Sequence, residues 1–535
     1  MSLDLSQQLE RNLIEKDHQV AQNQPRYNYL TIGLTLVVVS LISLYVSYFP
    51  EQGIAIAEAI FNFVSVKFAT PILWWAIGLV VIAGYFIFSK YGHIRMGNEK
   101  PEYSTLSYIS IMAFAGFGSG SVYWAFLEWG YYISTPPFNV EPHSQQAYEW
   151  AVTYTLHHWG VIGWAIYAVT AIPVMYFFYV KGVRSLKLAD IVEAISPNPK
   201  VGRTLAKLTQ FLYPIMLTLV LITVLALGVP VLSGAISVMF NLTDGIGLQL
   251  QIIAAVVMLL ILSTILGLKN GMSRLSDLGT YSLAALLIYI LLFGPTQFIL
   301  DNTSSSIGLW LQNAISMSTF TDSIGSNGFP QNWTVYFWAY WGVYIPLMCI
   351  FITKVSKGRT LRNMLICTLG GGTAGVVGLF SVTGSLMMNA EREQLVNVIE
   401  MLNSGQGALA ITQVIQQLPL SSLALTLFAI ATFLLLITTL DGSAFTLACS
   451  SQNQLDQDGN PNVWLKVFWC VVIVLVPVSF MVAGASVKAI QSAVLLFILP
   501  IVALTSYMLY YTIKQIKADF GDYSEQEIIS LGIKK

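Results

Sequence analysis

Apolar runs of membrane-spanning length recur along nearly the whole chain, separated by short polar segments. A helix of about 20 predominantly apolar residues crosses a bilayer. Twelve runs have roughly that length or more, and the longest predict tilted or interrupted helices. They lie near residues 29–49, 71–89, 105–133, 148–180, 205–239, 250–268, 278–300, 333–353, 364–387, 420–448, 464–485 and 488–513. The pattern predicts an all-α polytopic membrane protein with 12 transmembrane helices.

The positive charges are distributed unevenly between the two sides of this arrangement. An even number of spans puts both termini on one side. All but three of the 26 lysines and arginines then lie on that side, the exceptions being Lys67, Arg392 and Lys488. Because positively charged loops stay in the cytoplasm, residues 1–28 and 514–535 are predicted to be cytoplasmic tails.

The composition excludes several classes of function. Of the 535 residues, 55% are hydrophobic and only 10% are charged, against about 25% charged in soluble proteins. A net charge of −1 argues against a nucleic-acid partner. The sequence shows no phosphate loop, metal-ligand cluster or nucleophile–base pair, so we expect neither an enzyme nor a bound cofactor.

Helix-breaking residues occur at two positions that are five spans apart. In secondary transporters, substrates bind where helices unwind at equivalent positions of two inverted repeats. The spacing therefore predicts repeats at 105–300 and 332–513, after two N-terminal helices at 29–89, with an external amphipathic helix and loop at 301–331. Close helix packing is the alternative reading of the glycines. The residues expected to unwind are Gly116, Gly118, Gly120, Gly342 and Pro346.

Aromatic side chains are concentrated at membrane depth in the eighth and fourth spans. Seven of them lie from Trp333 to Tyr344, and Trp159, Trp164 and Tyr167 share one broad helix face. Aromatic faces attract a cation that has no hydrogen-bond donors, such as a quaternary ammonium group. Aromatic belts at the membrane interface are the alternative, but Trp159, Trp164 and Trp341 lie inside their spans.

A few polar residues lie inside the apolar segments, where charges are costly and often functional. Glu128 and Asp441 are the acidic examples, and Thr438 and Thr439 precede Asp441. The threonine hydroxyls could hold a sodium ion or could bond to their own helix carbonyls. His157 and His158 could serve proton chemistry, although buried histidines are more often hydrogen-bonded fillers.

These residues together resemble the betaine/choline/carnitine transporter family, from about residue 30 to 515. The motifs that carry the resemblance are 97–105, Gly116–Gly120, Glu128 with Tyr131 and 136–137, 158–160 with Trp164, 271–277, 333–341 and 356–360. The resemblance implies a leucine-transporter-type fold of two five-helix inverted repeats after two extra helices. It also implies a homotrimer in the bacterial inner membrane that transports small quaternary ammonium compounds.

Within the family, the chain is similar to the carnitine/butyrobetaine exchanger branch. The resemblance implies that Trp159, Trp164, Tyr167 and Trp341 form the box around the trimethylammonium group. It adds Tyr131 from the third helix and Tyr340 where the exchangers have Trp. It also adds Met348, which matches a methionine whose thioether occupies a sodium-site position or contacts the substrate carboxylate in the exchangers. A zwitterion such as carnitine or glycine betaine is expected, because choline-specific members tend to carry aspartate where this chain has Gly120.

Two departures from the exchangers predict sodium coupling. Gly279 stands where the sodium-independent exchangers carry an arginine. The exchangers also lack the second hydroxyl of the pair in the tenth helix, whereas this chain has both Thr438 and Thr439. We therefore expect Na⁺ to bind these hydroxyls and the backbone carbonyls of Phe114 and Phe117. The alternatives are sodium-independent carnitine/butyrobetaine exchange and transport of choline or a sulfonium zwitterion such as dimethylsulfoniopropionate. A channel and an amino-acid transporter on the same fold are more distant rivals.

Overall fold

The computed structural model describes residues 27–115, 118–183, 185–266, 269–453 and 460–531. These segments are helical almost throughout. Their only extended pairings are two isolated antiparallel bridges, Tyr27 with Gln452 and Arg95 with Thr360. Gly116 and Phe117 lie outside the described residues, so their predicted roles as a hinge and as a sodium ligand stay predictions.

The N-terminal half forms eleven of the α-helices described here. They are α1 (Tyr29–Tyr48), α2 (Pro50–Lys67), α3 (Ala69–Phe88), α4 (Thr105–Ala115), α5 (Ser119–Ser134), α6 (Gln145–Trp159), α7 (Val161–Met175), α8 (Leu188–Ile195), α9 (Pro199–Phe240), α10 (Ile246–Ile265) and α11 (Lys269–Phe293). A π-helical turn, Tyr176–Val180, extends α7.

The C-terminal half is built in the same way. Its helices are α12 (Thr296–Thr319), α13 (Val335–Val343), α14 (Ile345–Val355), α15 (Leu361–Arg392), α16 (Val398–Asn403), α17 (Gly407–Gln416), α18 (Ser421–Ser450), α19 (Val463–Val472), α20 (Leu475–Val482), α21 (Val487–Phe520) and α22 (Glu525–Leu531). A π-helical turn, Pro330–Thr334, leads into α13.

The number of membrane-spanning helices is close to the prediction. Within the described segments, ten helices are long and apolar enough to cross a membrane, and a bent pair raises the number to eleven. The predicted third span is divided into α4 and α5, and neither half has spanning length by itself. The polytopic all-α fold is therefore confirmed, whereas the count of twelve and the inverted repeats stay predictions.

Some boundaries differ from the sequence pattern for local reasons. Helix α2 was not predicted, because Glu51, Gln52 and Glu58 interrupt its apolar residues; it packs along α21. The seventh span was expected to reach residue 300 but ends at Phe293, before Gly294 and Pro295. Helix α12 then begins at Thr296, before the 301–331 segment in which an external helix and loop were expected, and it ends within that segment at Thr319.

Within the described segments, three interruptions fall among the helices that carry the predicted substrate residues. Gly118 adopts an extended backbone between α4 and α5. The helix from Pro330 to Val343 and the helix α14 meet at Tyr344 with a bend of 56°, between Gly342 and Pro346. The third interruption was not predicted: Gly160, with φ −79° and ψ −138°, separates α6 from α7 directly after Trp159.

Both ends of the described chain lie on one face of the bundle. Tyr27 pairs with Gln452, whose carbonyl accepts a hydrogen bond from Lys187 Nζ at 2.9 Å. Lys90 Nζ donates to the carbonyls of Gly521 and Tyr523, each at 2.7 Å. We call this the terminal face; its location in the cytoplasm stays a prediction.

Candidate functional site

A central cavity of about 900 Å³ lies among the interrupted helices. Its wall comes from α4, α5 and the segment before α4, the α6–α7 pair, α9, α11, the bent α13–α14 pair and α18. Ten of the residues singled out from the sequence line it: Phe114, Gly118, Gly120, Trp159, Tyr167, Tyr340, Trp341, Met348, Thr438 and Thr439. The structure thus brings most of the predicted substrate and sodium residues to one space.

Trp341 is the central ring of an aromatic cage at one end of this cavity. Its ring centroid lies 5.7 Å from that of Trp159, 5.5 Å from that of Trp164 and 4.6 Å from that of Tyr167. Trp164 is fully buried behind the wall, whereas the other three rings face the cavity. The unpredicted break at Gly160 does not separate Trp159 from this group.

Tyr340 extends the cage toward the break between α4 and α5. Its ring lies 5.8 Å from Trp159 and 5.3 Å from Tyr344. A Cβ at Gly120 would lie 3.3 Å from the Tyr340 hydroxyl. A side chain at position 120 would therefore push on Tyr340. Gly120 thus leaves room for the Tyr340 ring, and it also lacks the carboxylate that choline-specific members tend to carry at this position.

Two glycines that sequence reasoning missed allow the rings to approach. A Cβ at Gly163 would overlap the indole of Trp341, and a Cβ at Gly372 would overlap the indole of Trp164. Each tryptophan therefore rests directly on the backbone of a neighbouring helix. Small residues with this function are common where helices pack closely, but the sequence does not show which glycine meets which ring.

Replacing Gly372 with alanine is expected to displace Trp164 and to lower the stability of the protein by about 1–3 kcal/mol, the typical cost of overpacking. The measurement is thermal unfolding of the purified protein in detergent. Gly370→Ala is the matched control, because Gly370 lies on the same helix and a Cβ there would meet no described atom within 4 Å. Equal behaviour of the two variants would contradict the contact.

Glu128 holds Trp159 of the cage in place, and it does not line the cavity itself. It is fully buried, and its Oε2 accepts a hydrogen bond from Trp159 Nε1 at 2.7 Å. Its Oε1 accepts from the Tyr132 hydroxyl at 2.5 Å and lies 3.2 Å from His158 Nδ1. His158 Nε2 in turn lies 3.0 Å from the Thr334 hydroxyl. This network fixes the orientation of Trp159 relative to α5 and the segment before α13.

Packed aromatic rings close the bundle on the side of the cage away from the cavity. Trp124 contacts Trp333 and Phe337, with ring centroids 6.1 and 5.2 Å away. Tyr131 belongs to the same group, because its ring lies 5.0 Å from that of Trp333 and its hydroxyl lies 2.7 Å from that of Tyr123. We call Trp124, Tyr131, Trp333 and Phe337 the aromatic plug. The structure does not place Tyr131 on the cavity wall, so its substrate contact stays a prediction.

The other end of the cavity reaches the terminal face. Its lining there includes Tyr103, Asp277 and Val355. Arg359 Nη2 donates to the carbonyl of Tyr103 at 2.6 Å, and the Arg359 carbonyl accepts from the Met96 amide near Lys90. The mouth therefore opens on the side on which Lys90 contacts the C-terminal segment.

Hydroxyl groups line the wall between the cage and this mouth. Thr438 Oγ1 donates to the Leu434 carbonyl at 2.9 Å, and Thr439 Oγ1 donates to the Leu435 carbonyl at 2.7 Å. A Cβ at Gly118 would lie 3.2 Å from Thr439 Oγ1, so the break after α4 adjoins this hydroxyl. Each oxygen keeps lone pairs that can accept a cation.

The remaining candidates have structural partners. Gly279 packs against α18, where a Cβ would lie 3.0 Å from Leu434 Cβ. Asp441 forms an ion pair with Lys466, with Nζ and Oδ1 2.6 Å apart. A Cβ at Gly342 would meet Ile498 of α21, and Pro346 lines a separate apolar groove. The described residues contain no group of three or more His, Cys, Asp or Glu side chains that could hold a metal.

A helical membrane bundle in which interrupted helices surround a central cavity has the architecture of a secondary transporter. The family model for the betaine/carnitine/choline family transporters matches residues 30–521, and the chain belongs to this family.

Two curated proteins are similar over most of the chain. One is the uncharacterized transporter YeaV of Escherichia coli (strain K12), 34% identical over 85% of this chain and 93% of its own length. The other is a carnitine transporter of Acinetobacter baumannii (strain ATCC 19606), 30% identical over 92% of both chains.

Proposed function

We propose that the protein transports a trimethylammonium zwitterion, carnitine or glycine betaine, by sodium-coupled alternating access in the bacterial inner membrane. The observation that carries the proposal is the cage in which Trp341 meets Trp159, Trp164 and Tyr167 at the end of a membrane-depth cavity. The likeness to the carnitine transporter of Acinetobacter baumannii supports carnitine as the first substrate to test.

The chemistry of the cage favours a headgroup without hydrogen-bond donors. Each well-placed ring contributes roughly 0.5–2 kcal/mol of cation–π attraction. Among the described residues, the cavity wall beside the rings has no carboxylate, and Gly120 stands at the position next to Tyr340. A substrate that carries its own carboxylate needs no carboxylate from the wall to balance its ammonium charge. Choline has no carboxylate, so its positive charge would stay unbalanced beside the rings.

The hydroxyl groups of Thr438 and Thr439 support sodium as the coupled ion. Sodium prefers several oxygen ligands, and Thr438 and Thr439 present two hydroxyl oxygens to the cavity. The helix break beside Thr439 would supply backbone carbonyls, among them that of Phe114. Gly279 contributes no positive side chain, so nothing at that position would compete with the ion.

The aromatic plug and the open mouth support alternating access. The mouth on the terminal face and the plug on the other side support a state in which substrate exchanges with the terminal side. The opposite state would require the plug to open and the mouth to close, by motion of the helices around the bend at Tyr344. Family resemblance adds the proposal that three copies assemble.

Sodium-independent exchange is the second candidate, and Met348 is the observation that favours it. Its thioether lines the cavity and offers no oxygen for a second sodium ion. The substrate alternatives are choline and dimethylsulfoniopropionate.

Counterflow separates these possibilities. Proteoliposomes loaded with carnitine, glycine betaine, choline or dimethylsulfoniopropionate are expected to accumulate labelled substrate fastest with a zwitterionic trimethylammonium compound inside. Replacing external sodium with potassium is expected to reduce uptake at least about tenfold, with Thr438→Ala behaving like sodium removal. Undiminished uptake in potassium would support exchange and contradict sodium coupling.

A further inference from the structure

The cavity has a second region that the cage does not use. Val355 at the mouth is 14 positions from Trp341 in the cage; at 1.5 Å per residue this is roughly 20 Å along α13 and α14, somewhat less across their bend. A volume near 900 Å³ is at the upper end for pockets that hold one small molecule. The mouth therefore has room for a ligand that does not touch the cage.

Asp277 gives this mouth its charge. Among the described residues that line the cavity, it is the only one with a carboxylate or a basic group. No hydrogen bond or ion pair joins its carboxylate to any described residue, and the side chain is exposed. Because apolar walls focus the field of a charge in a cleft, a single carboxylate here makes the mouth attractive to cations.

Aromatic rings accompany the carboxylate. Tyr281 lies one helical turn after Asp277 on α11, and positions four residues apart share a helix face. Tyr103 and Phe351 also line the cavity, from two other segments. A carboxylate beside ring faces suits a trimethylammonium group, which needs charge and a polarisable surface but no hydrogen-bond acceptor.

We propose that Asp277, Tyr281 and Tyr103 form a low-affinity docking site for the trimethylammonium headgroup at the mouth of the cavity, separate from the cage. This inference rests on the proposed function and extends it to the path of the substrate. The carboxylate attracts the headgroup and repels the substrate's own carboxylate, so it orients a zwitterion during entry and release at the terminal face. Since the site is open to solvent, its effect falls as salt increases.

Transport measured separately from each face of the membrane tests the site. Membrane vesicles of both orientations are prepared from cells that express the full chain, and their orientation is assigned by protease access to the C-terminal segment. Asp277→Asn is expected to raise the half-saturation concentration for carnitine at the terminal face about three- to tenfold, with little change at the other face. Tetramethylammonium added at the terminal face should inhibit this variant less than the wild type.

Controls separate this site from the fold and from the cage. Asp522→Asn removes an exposed carboxylate that lies on the terminal face outside the cavity, and it should change nothing. Tyr281→Phe should behave like the wild type, and Tyr281→Leu like Asp277→Asn. No shift, or an equal shift at both faces, would overturn the docking site. Absence of counterflow by the wild type would instead reject the proposed function itself.

Discussion

Trp341→Ala is expected to reduce substrate affinity about a hundredfold and to abolish measurable uptake. Trp341 is the one ring that contacts the three others of the cage, and it is almost fully buried. Its loss removes one cation–π partner, worth roughly 2 kcal/mol when desolvated, and the support of the neighbouring rings. Together these amount to about 2.8 kcal/mol, which corresponds to a hundredfold in affinity.

The measurement is equilibrium binding of labelled carnitine to purified protein, with counterflow as a second readout. Trp341→Phe should retain part of the affinity because it keeps a ring face. Trp74→Ala is the matched control, since Trp74 is 59% exposed on the outside of the bundle. Binding by Trp341→Ala within about twofold of the wild type would remove this ring from the substrate site.

The main features of the cage could be predicted from the sequence because they depend on local spacing. Periodicity placed Trp159, Trp164 and Tyr167 together, and they do meet at Trp341 although Gly160 divides their helix. Gly342 with Pro346 marks a bend that the structure places at Tyr344. The partners of these residues across the bundle could not be predicted. No local sequence pattern distinguishes Gly163 and Gly372 from the other glycines. Their contacts with Trp341 and Trp164 depend on how the helices pack against one another.

Interruptions and amphipathic helices explain the remaining differences. Hydropathy recognises long apolar runs, so it missed α2, in which Glu51 and Glu58 dilute the signal. It also gave no sign of the break at Gly160, because a single glycine in an apolar span is common and tolerated. Tyr131 shows the opposite case: its motif matches the family, but its ring lies in the aromatic plug and not on the cavity wall.

Glu128 was recognisable as a costly intramembrane charge, but its role depends on residues that are distant in sequence. Its partners Trp159 and His158 lie about 30 positions further along the chain. The carboxylate satisfies the Trp159 indole, the Tyr132 hydroxyl and a ring nitrogen of His158 at once. Removing it would leave the Trp159 indole without its partner, at a cost of about 1–3 kcal/mol, whereas the Tyr132 hydroxyl and His158 Nδ1, which lie 2.9 Å apart, can still pair with each other.

Glu128→Ala is therefore expected to lower the stability of the protein by about 2–5 kcal/mol, because it leaves the buried indole unpaired and opens a cavity, and to impair transport by releasing Trp159 from its position in the cage. Glu128→Gln retains an acceptor for the indole, so it should fold and bind substrate with a smaller loss. The measurements are thermal unfolding in detergent and carnitine binding, made on both variants and on Trp159→Phe, which removes the indole N–H but keeps a ring.

The double variant distinguishes a positioning role from general support of the fold. If Glu128 acts on the substrate through Trp159, then Glu128→Gln combined with Trp159→Phe should bind carnitine no more weakly than Trp159→Phe alone, because interacting residues give non-additive effects. If the two losses in binding add, the carboxylate does not act through the Trp159 hydrogen bond. In that case the network through His158 and Thr334 stabilises the bundle independently of the cage.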